Sequence, residues 1–227
     1  MNREIVIQKI IDSIKAKRYL EIGVFQGTTF QKIRCSRKVA VDPQFKISLR
    51  SKCRYILRNI GSKYREMTSN EYFARYKNKI PFDVAFIDGL HSYGQSLIDV
   101  MKTLDALGPD GVIVMHDCNP PTASAAQPAD SWEHANSMNL PGWTGAWNGD
   151  VWKTIVKLRS TRKDLQIFVL DCDYGLGIIT RGTPETMLDI SDEKIDRLSY
   201  EDLVSNRQKW LNLKPVEYLE KFIKSML

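Results

Sequence analysis

Leu165-Gln166-Ile167-Phe168-Val169-Leu170 and Gly175-Leu176-Gly177-Ile178-Ile179-Thr180 are two apolar runs of strand length, joined only by Asp171-Cys172-Asp173-Tyr174. Parallel strands need a crossover of a dozen or more residues, so this pair must form an antiparallel hairpin. Upstream, apolar runs alternate with helical spacing. A helix is expected over 2–17 on Ile5, Ile7, Ile10, Ile11 and Ile14. Strand one follows at about 18–24, with a helix starting near Thr28, and strand two lies at about 38–42. A basic, poorly periodic segment at 44–66 leads to a short third strand near 64–68 and a helix around 70–76. Strand four covers 81–89, and a helix over 92–107 turns Leu97, Val100, Met101, Leu104 and Leu107 inward. Gly108-Pro109-Asp110-Gly111 reads as a turn, and strand five as 112–116. A helix over 150–159 precedes the hairpin. The chain is thus read as α/β, with a mostly parallel sheet that finishes on a reversed strand.

Strand one runs into Tyr19-Leu20-Glu21-Ile22-Gly23-Val24-Phe25-Gln26-Gly27-Thr28-Thr29, and strand two ends in Val39-Ala40-Val41-Asp42-Pro43. A glycine-bearing turn after a strand lets the backbone approach a ligand, and an acid about 20 residues on suits ribose hydroxyls. The turn has two glycines, and Phe25 stands where a dinucleotide fingerprint has a third.

The totals bound the alternatives. A length of 227 residues suits a single domain over 1–227, and a 43% hydrophobic share supports a sizeable core. No run approaches the roughly 20 apolar residues of a membrane span, and Met1-Asn2-Arg3-Glu4-Ile5-Val6 is not a signal peptide. Cys35, Cys53, Cys118 and Cys172 lie far apart, with neither a zinc knuckle nor a disulfide framework, so a cytoplasmic, reduced protein is expected. The net charge of +6 is concentrated between Lys46 and Lys79: Lys46, Arg50, Lys52, Arg54, Arg58, Lys63, Arg65, Arg75, Lys77 and Lys79 stand against Glu66 and Glu71. Such a run is either a solvated face or an attractor of nucleic acid or of acidic or phosphorylated partners. Residues 118–149 read as a long loop bearing Trp132, Trp143 and Trp147, an inserted lid rather than a disordered segment. Residues 182–227 form a helical extension suited either to covering the sheet or to packing on another subunit of a homo-oligomer.

Glu21-x-Gly23-x-x-x-Gly27, Val41-Asp42-Pro43, Met67-Thr68-Ser69-Asn70-Glu71-Tyr72-Phe73, Phe86-Ile87-Asp88-Gly89-Leu90-His91-Ser92-Tyr93 and His116-Asp117-Cys118-Asn119-Pro120 carry a resemblance. Over 18–181 the chain resembles the bacterial class I S-adenosylmethionine-dependent methyltransferases of the methyltransferase-24 type, found with sugar and natural-product genes. The resemblance implies a doubly wound seven-stranded sheet, mostly parallel, with a C-terminal antiparallel hairpin. It implies S-adenosyl-L-methionine as cofactor and a small-molecule hydroxyl as acceptor. Glu21, Gly23 and Gly27 would line its methionine and ribose side, Asp42 would hold the ribose hydroxyls, and Thr68 and Ser69 would lie near the adenine. Asp88, ending strand four, is placed with both cofactor and chemistry. Thr68 and Ser69 equally suit the cap of the following helix.

Ligands of open α/β sheets bind outside the carboxyl ends of the strands. Asp88 and Asp117 end strands four and five, with His91 and His116 beside them, and these four are the catalytic candidates. Some oxygen methyltransferases that the chain resembles hold Mg²⁺ there on carboxylates. Here Asp88, His116 and Asp117 would be the ligands, and the imidazole shifts the preference toward Mn²⁺ or another ion that accepts nitrogen. Alternatively His91 or His116 takes the hydroxyl proton without a metal. Trp143, Trp147 and Asp150 are substrate candidates. The indoles equally suit packing of the lid, and Asp150 the N-cap of the next helix. An RNA methyltransferase using the basic 46–79 surface, a nicotinamide-dependent reductase and a non-catalytic module are the competing readings.

Overall fold

Burial decides which runs become strands. In the computed structural model, which describes residues 1–76 and 80–226, Tyr19, Leu20, Val84, Ala85 and Phe86 are buried, as strands covered on both faces require. They belong to β1 (Arg18–Ile22) and β4 (Phe82–Ile87). β1 pairs in parallel with β4 and with β2 (Arg37–Asp42), so that Leu20 faces Ala85 on one side and Val39 on the other. β3 (Ser62–Glu66) extends β2, again in parallel. With β5 (Leu107–Met115) the order is β3-β2-β1-β4-β5. Contacts divide the chain into two compact units, and these strands carry the first: Met1–Gly89, Asp99–Val114 and Leu219–Leu227. Helix α1 (Arg3–Ser13), opened by Asn2 accepting from the Ile5 amide, packs Val6, Ile7, Ile10 and Ile11 inward on β4. Helices α2 (Leu49–Arg54) and α3 (Ser69–Arg75) complete the connections around β3.

The second unit comprises Leu90–Ile98 and Met115–Tyr218. The hairpin forms as expected: β6 (Leu165–Leu170) and β7 (Leu176–Arg181) are antiparallel, with Phe168 opposite Ile178. A helix at Tyr93–Ala106, α4, begins in this unit. α5 (Trp132–Ser137) lies within the 118–149 insertion, and α6 (Trp152–Thr161) packs on β6. Helices α7 (Asp192–Asp196) and α8 (Tyr200–Trp210) follow, then β8 (Leu213–Lys214), parallel to β6. The order here is β7-β6-β8. Buried Arg159 donates to the Lys209 and Trp210 carbonyls and to Thr186, and Trp152 stacks on Trp210 at 6.4 Å. Thr186, Lys209 and Trp210 of the extension thus pack on α6. The extension ends in α9 (Tyr218–Ser225), which buries Leu219, Phe222 and Ile223.

Four expectations are corrected. Among the described residues the strands number eight rather than seven, because Gln208 and the β6 edge organise the two-residue β8. No helix follows Gly27: residues 28–32 are turns, because the connection to β2 is short and buried Lys38 closes it by donating to the Phe30 and Ile33 carbonyls. β5 begins at Leu107 rather than 112. Pro109 and Asp110 lie exposed, where the missing proline donor costs nothing, so the turn signal sits inside a strand end. Met101 is exposed, and α4 buries Ser96, Asp99 and Thr103 alongside Val100 and Leu104. Asp99 is tolerated inside because Ser69 Oγ donates to it at 2.6 Å. Lys77 and Lys79 of the basic run fall outside the described residues.

Gly23, at φ +82°, has a steric reason to be glycine: a Cβ there would lie 1.9 Å from the Asp88 carbonyl oxygen. Gly94, on α4, has nothing within 4 Å of its Cβ position. Gly23→Ala should lower unfolding stability in urea by roughly 3 kcal/mol or more, while Gly94→Ala should raise it by about 0.5–1 kcal/mol.

Candidate active site

In the first unit the carboxyl ends of β1 and β2 gather Glu21, Gly23, Gly27 and Asp42. Each Asp42 oxygen accepts one backbone amide, Phe25 N and Gln44 N, both at 2.7 Å. These bonds fix the carboxylate against the glycine turn and leave further lone pairs for a ligand. The turn bends sharply, with Phe25 at φ +46° and Gly27 at +72°, and the Gly23 amide donates to the Val41 carbonyl.

Glu21 is fully buried, and the Tyr19 hydroxyl donates to it at 2.5 Å. Burial pushes its carboxyl up to about 8, against the opposing pull of Tyr19, Lys38 and the Phe30 amide. Burial likewise lowers Lys38 to about 8 and raises Tyr19 well above its ordinary value. Tyr19 was not singled out by sequence, although a strand places residues i and i+2 on one face. Asp88, at the end of β4, is held by Arg3 of α1 at 2.7 Å. Arg3 was also missed, because nothing local links a helix start to a residue 85 positions away. Thr68 caps α3 in a reciprocal box with Glu71, whereas Ser69 is the first residue of the helix and its buried hydroxyl donates to Asp99, so the cap suited to both residues is made by Thr68.

In the second unit His91, His116 and Asp117 do come together. Asp117 Oδ2 lies 3.1 Å from His91 Nε2 and 2.9 Å from His116 Nδ1, and Asn148 Nδ2 donates to Oδ1 at 2.5 Å. His91 Nδ1 lies 2.7 Å from the Trp147 carbonyl. A carbonyl only accepts, so Nδ1 carries the proton and Nε2 faces Asp117. Neither ring meets hydrogen-bond geometry at Asp117 Oδ2, and Asn148 Oδ1 also accepts nothing. Two buried acceptor oxygens on neighbouring side chains are thus without a hydrogen-bond donor. His116 Nε2 is 3.6 Å from Asp173 of the hairpin turn. Asn148 was missed by sequence; its Asn-Gly signal was absorbed into the loop.

Backbone strain maintains this cluster. Asp117 adopts φ +62°, a left-handed conformation that aspartate tolerates better than most residues. It is imposed because the Cys118 amide donates to the Gly175 carbonyl and the Asn119 amide to that of Tyr174. Gly175 must be glycine, since a Cβ would meet Asn119 N at 2.4 Å. Arg207 further grips the Asn119 side chain and the Pro120 carbonyl.

The substrate candidates divide. Trp147 stacks on His91 with centroids 4.9 Å apart and donates to the Gln127 carbonyl, whereas Trp143 donates to Asn136 within the insertion. Asp150 does cap a helix, but α4 rather than α6: its Oδ1 accepts the Tyr93 amide at 2.6 Å.

Residues 20–118 match the family model described as a methyltransferase domain. Solved structures share the fold at low identity. The O-methyltransferase TomG of Streptomyces achromogenes, solved with S-adenosylmethionine, gives TM-score 0.55 at 14% identity, over 78% of each chain. An O-methyltransferase of Bacillus cereus with S-adenosylhomocysteine gives 0.52 at 16%, over 78% of this chain and 77% of that one. A Podospora anserina methyltransferase, bound to the same product, gives 0.54 at 17%, over 79% and 78%. Comparison with curated proteins finds no match. The chain is thus similar over 20–118 to a methyltransferase domain, and it shares its fold with solved O-methyltransferases.

The buried Glu21 sets a stability test. Between the ordinary carboxyl value of 4.5 and about 8, the folded state binds a proton that the unfolded state has released. Stability therefore falls as pH rises through that window and stays lowered above it. Glu21→Gln keeps an acceptor for Tyr19 and removes the penalty. Its melting temperature should match wild type near pH 4.5 and exceed it by roughly 3 °C or more at pH 9, as read by differential scanning calorimetry.

Proposed function

We propose that the protein transfers the methyl group of S-adenosyl-L-methionine to a hydroxyl of a small molecule, a sugar or natural-product intermediate. The carrying observation is the His91 arrangement. With Nδ1–H committed to the Trp147 carbonyl, Nε2 is the basic nitrogen and faces Asp117 at 3.1 Å. A hydroxyl with a pKa of roughly 10 or more is a weak nucleophile until its proton leaves. A proton arriving on Nε2 yields an imidazolium that the adjacent Asp117 carboxylate stabilises, and Asn148 holds that carboxylate in place. His116, on the same Asp117 oxygen, is the second candidate base. The cofactor is assigned to the first-unit turn: Glu21 for the methionine ammonium, Gly23 and Gly27 for close backbone approach, Asp42 for the ribose hydroxyls, and Thr68 and Ser69 on the adenine side. The O-methyltransferases with bound cofactor or product among the fold relatives support this assignment.

A second reading has its own observation. Asp117 Oδ2, which accepts no hydrogen bond, and the His91 Nε2 and His116 Nδ1 nitrogens 3.1 and 2.9 Å from it form a donor set that fits a divalent ion tolerant of nitrogen, such as Mn²⁺. Bound there, the ion would lower the pKa of a substrate hydroxyl.

Calorimetric titration with S-adenosylhomocysteine should give micromolar binding by wild type, weakened at least about tenfold in Asp42→Ala and in Glu21→Gln. Over a panel of sugar and phenolic acceptors, His91→Gln should lower turnover about 10²–10⁴-fold while leaving that affinity unchanged. EDTA should have no effect under the imidazole-base route and should abolish turnover under the metal route. No product binding by the folded wild type would sink the methyltransferase reading.

A further inference from the structure

The segment between β2 and β3 is built unlike the rest of the first unit. Neither α2 (Leu49–Arg54) nor the 3₁₀ turn Ile56–Asn59 buries a single residue. Leu49 is 78% exposed, Ile56 64%, Leu57 81% and Ile60 72%. Single exposed aliphatics are ordinary, but four within twelve residues of a segment whose helices bury nothing is the density of apolar exposure expected of a binding surface.

The charge around the patch is of one sign. Lys46, Arg50, Lys52, Arg54, Arg58, Lys63 and Arg65 fall in residues 43–65, which contain no acid. Among the described residues these cations meet aromatic rings rather than carboxylates: Lys46 lies over Phe25 at 5.1 Å and Arg58 over Tyr55 at 5.5 Å. Phe25 is itself half exposed, and the Lys46 amide donates to its carbonyl, so the surface begins at the glycine turn.

We infer that residues 46–65 form a docking surface for a membrane carrying anionic lipid. The argument turns on which partner uses both halves of the surface. RNA would engage the cations but gains nothing from four aliphatic side chains. A second copy meeting the same patch across a two-fold axis would set cation against cation with no acid to relieve the repulsion. An anionic bilayer uses both: Leu49, Ile56, Leu57 and Ile60 enter the acyl boundary, and the flanking Lys and Arg face the lipid phosphates. No described helix is long and apolar enough to cross a membrane, so the association is peripheral. It is independent of the methyl-transfer reading.

Co-sedimentation of the full chain with vesicles tests it. At low salt, wild type should pellet with phosphatidylcholine–phosphatidylglycerol vesicles at least about tenfold more than with phosphatidylcholine alone, and salt should weaken the association. The exposed pair Ile56→Ser and Leu57→Ser should cut partitioning about tenfold with an unchanged melting temperature. Arg50→Glu with Arg54→Glu should remove the preference for anionic lipid. The inference is overturned if wild type ignores anionic vesicles, or if the variants bind as wild type does. It is equally overturned if the segment binds RNA without binding vesicles, or if light scattering shows a vesicle-independent dimer that Leu57→Ser dissolves.

Discussion

Asp117 holds its left-handed backbone only because the next two amides are tied to the hairpin turn, Cys118 to Gly175 and Asn119 to Tyr174. The reversed strand that defines the fold thus also shapes the candidate site. A parallel final strand could not present its turn at residues 171–175 in this way, since its connection would be a crossover of a dozen residues or more. Without that tie, Asp117 would relax toward ordinary backbone values, and its carboxylate would leave the position it now shares with His91, His116 and Asn148. Local strain of this kind persists where the surroundings over-determine it, and it concentrates at functional sites.

The first unit stores its tension as burial rather than backbone strain. A carboxyl raised to about 8 costs the empty fold stability at neutral pH, and a neighbouring tyrosine offsets only part of that cost. A cationic ligand group arriving beside Glu21 favours the ionised form and recovers the deficit as binding affinity. The two units therefore keep buried oxygens in different currencies of readiness: one is short of a cation or proton at Glu21, and the other is short of donors at Asp117 Oδ2 and Asn148 Oδ1.

The elements legible from the chain were those set by local pattern. The hairpin followed from its four-residue connection and β4 from the apolar run Val84–Ile87. Glu21, Asp42, His91, His116 and Asp117 were legible because their types are conspicuous at strand ends. Pattern could not supply contacts made across long sequence separation. Arg3 on Asp88 and Asn148 on Asp117 are of this kind, as is Asp150 capping α4 across 57 residues. The missing helix after Gly27 failed differently: local propensity suggested it, and a buried lysine from the next strand closed the turn before a helix could form.

That missing helix bears on ligand class. Dinucleotide sites seat a pyrophosphate on amides at a helix N-terminus, where the helix dipole favours negative charge. Here the glycine turn leads into residues 28–32, which form turns rather than a regular helix, and the buried acid that meets it is Asp42, which accepts the Phe25 amide at 2.7 Å. An acid at this turn disfavours a diphosphate and suits hydroxyl or cationic groups. S-adenosylmethionine has no phosphate, and it carries both an ammonium and a sulfonium. It needs from this turn close backbone approach and a nearby acid, rather than a dipole aimed at an anion. Under the proposed function Gly23 and Glu21 would supply those two features within three residues, an arrangement better suited to S-adenosylmethionine than to a nicotinamide dinucleotide.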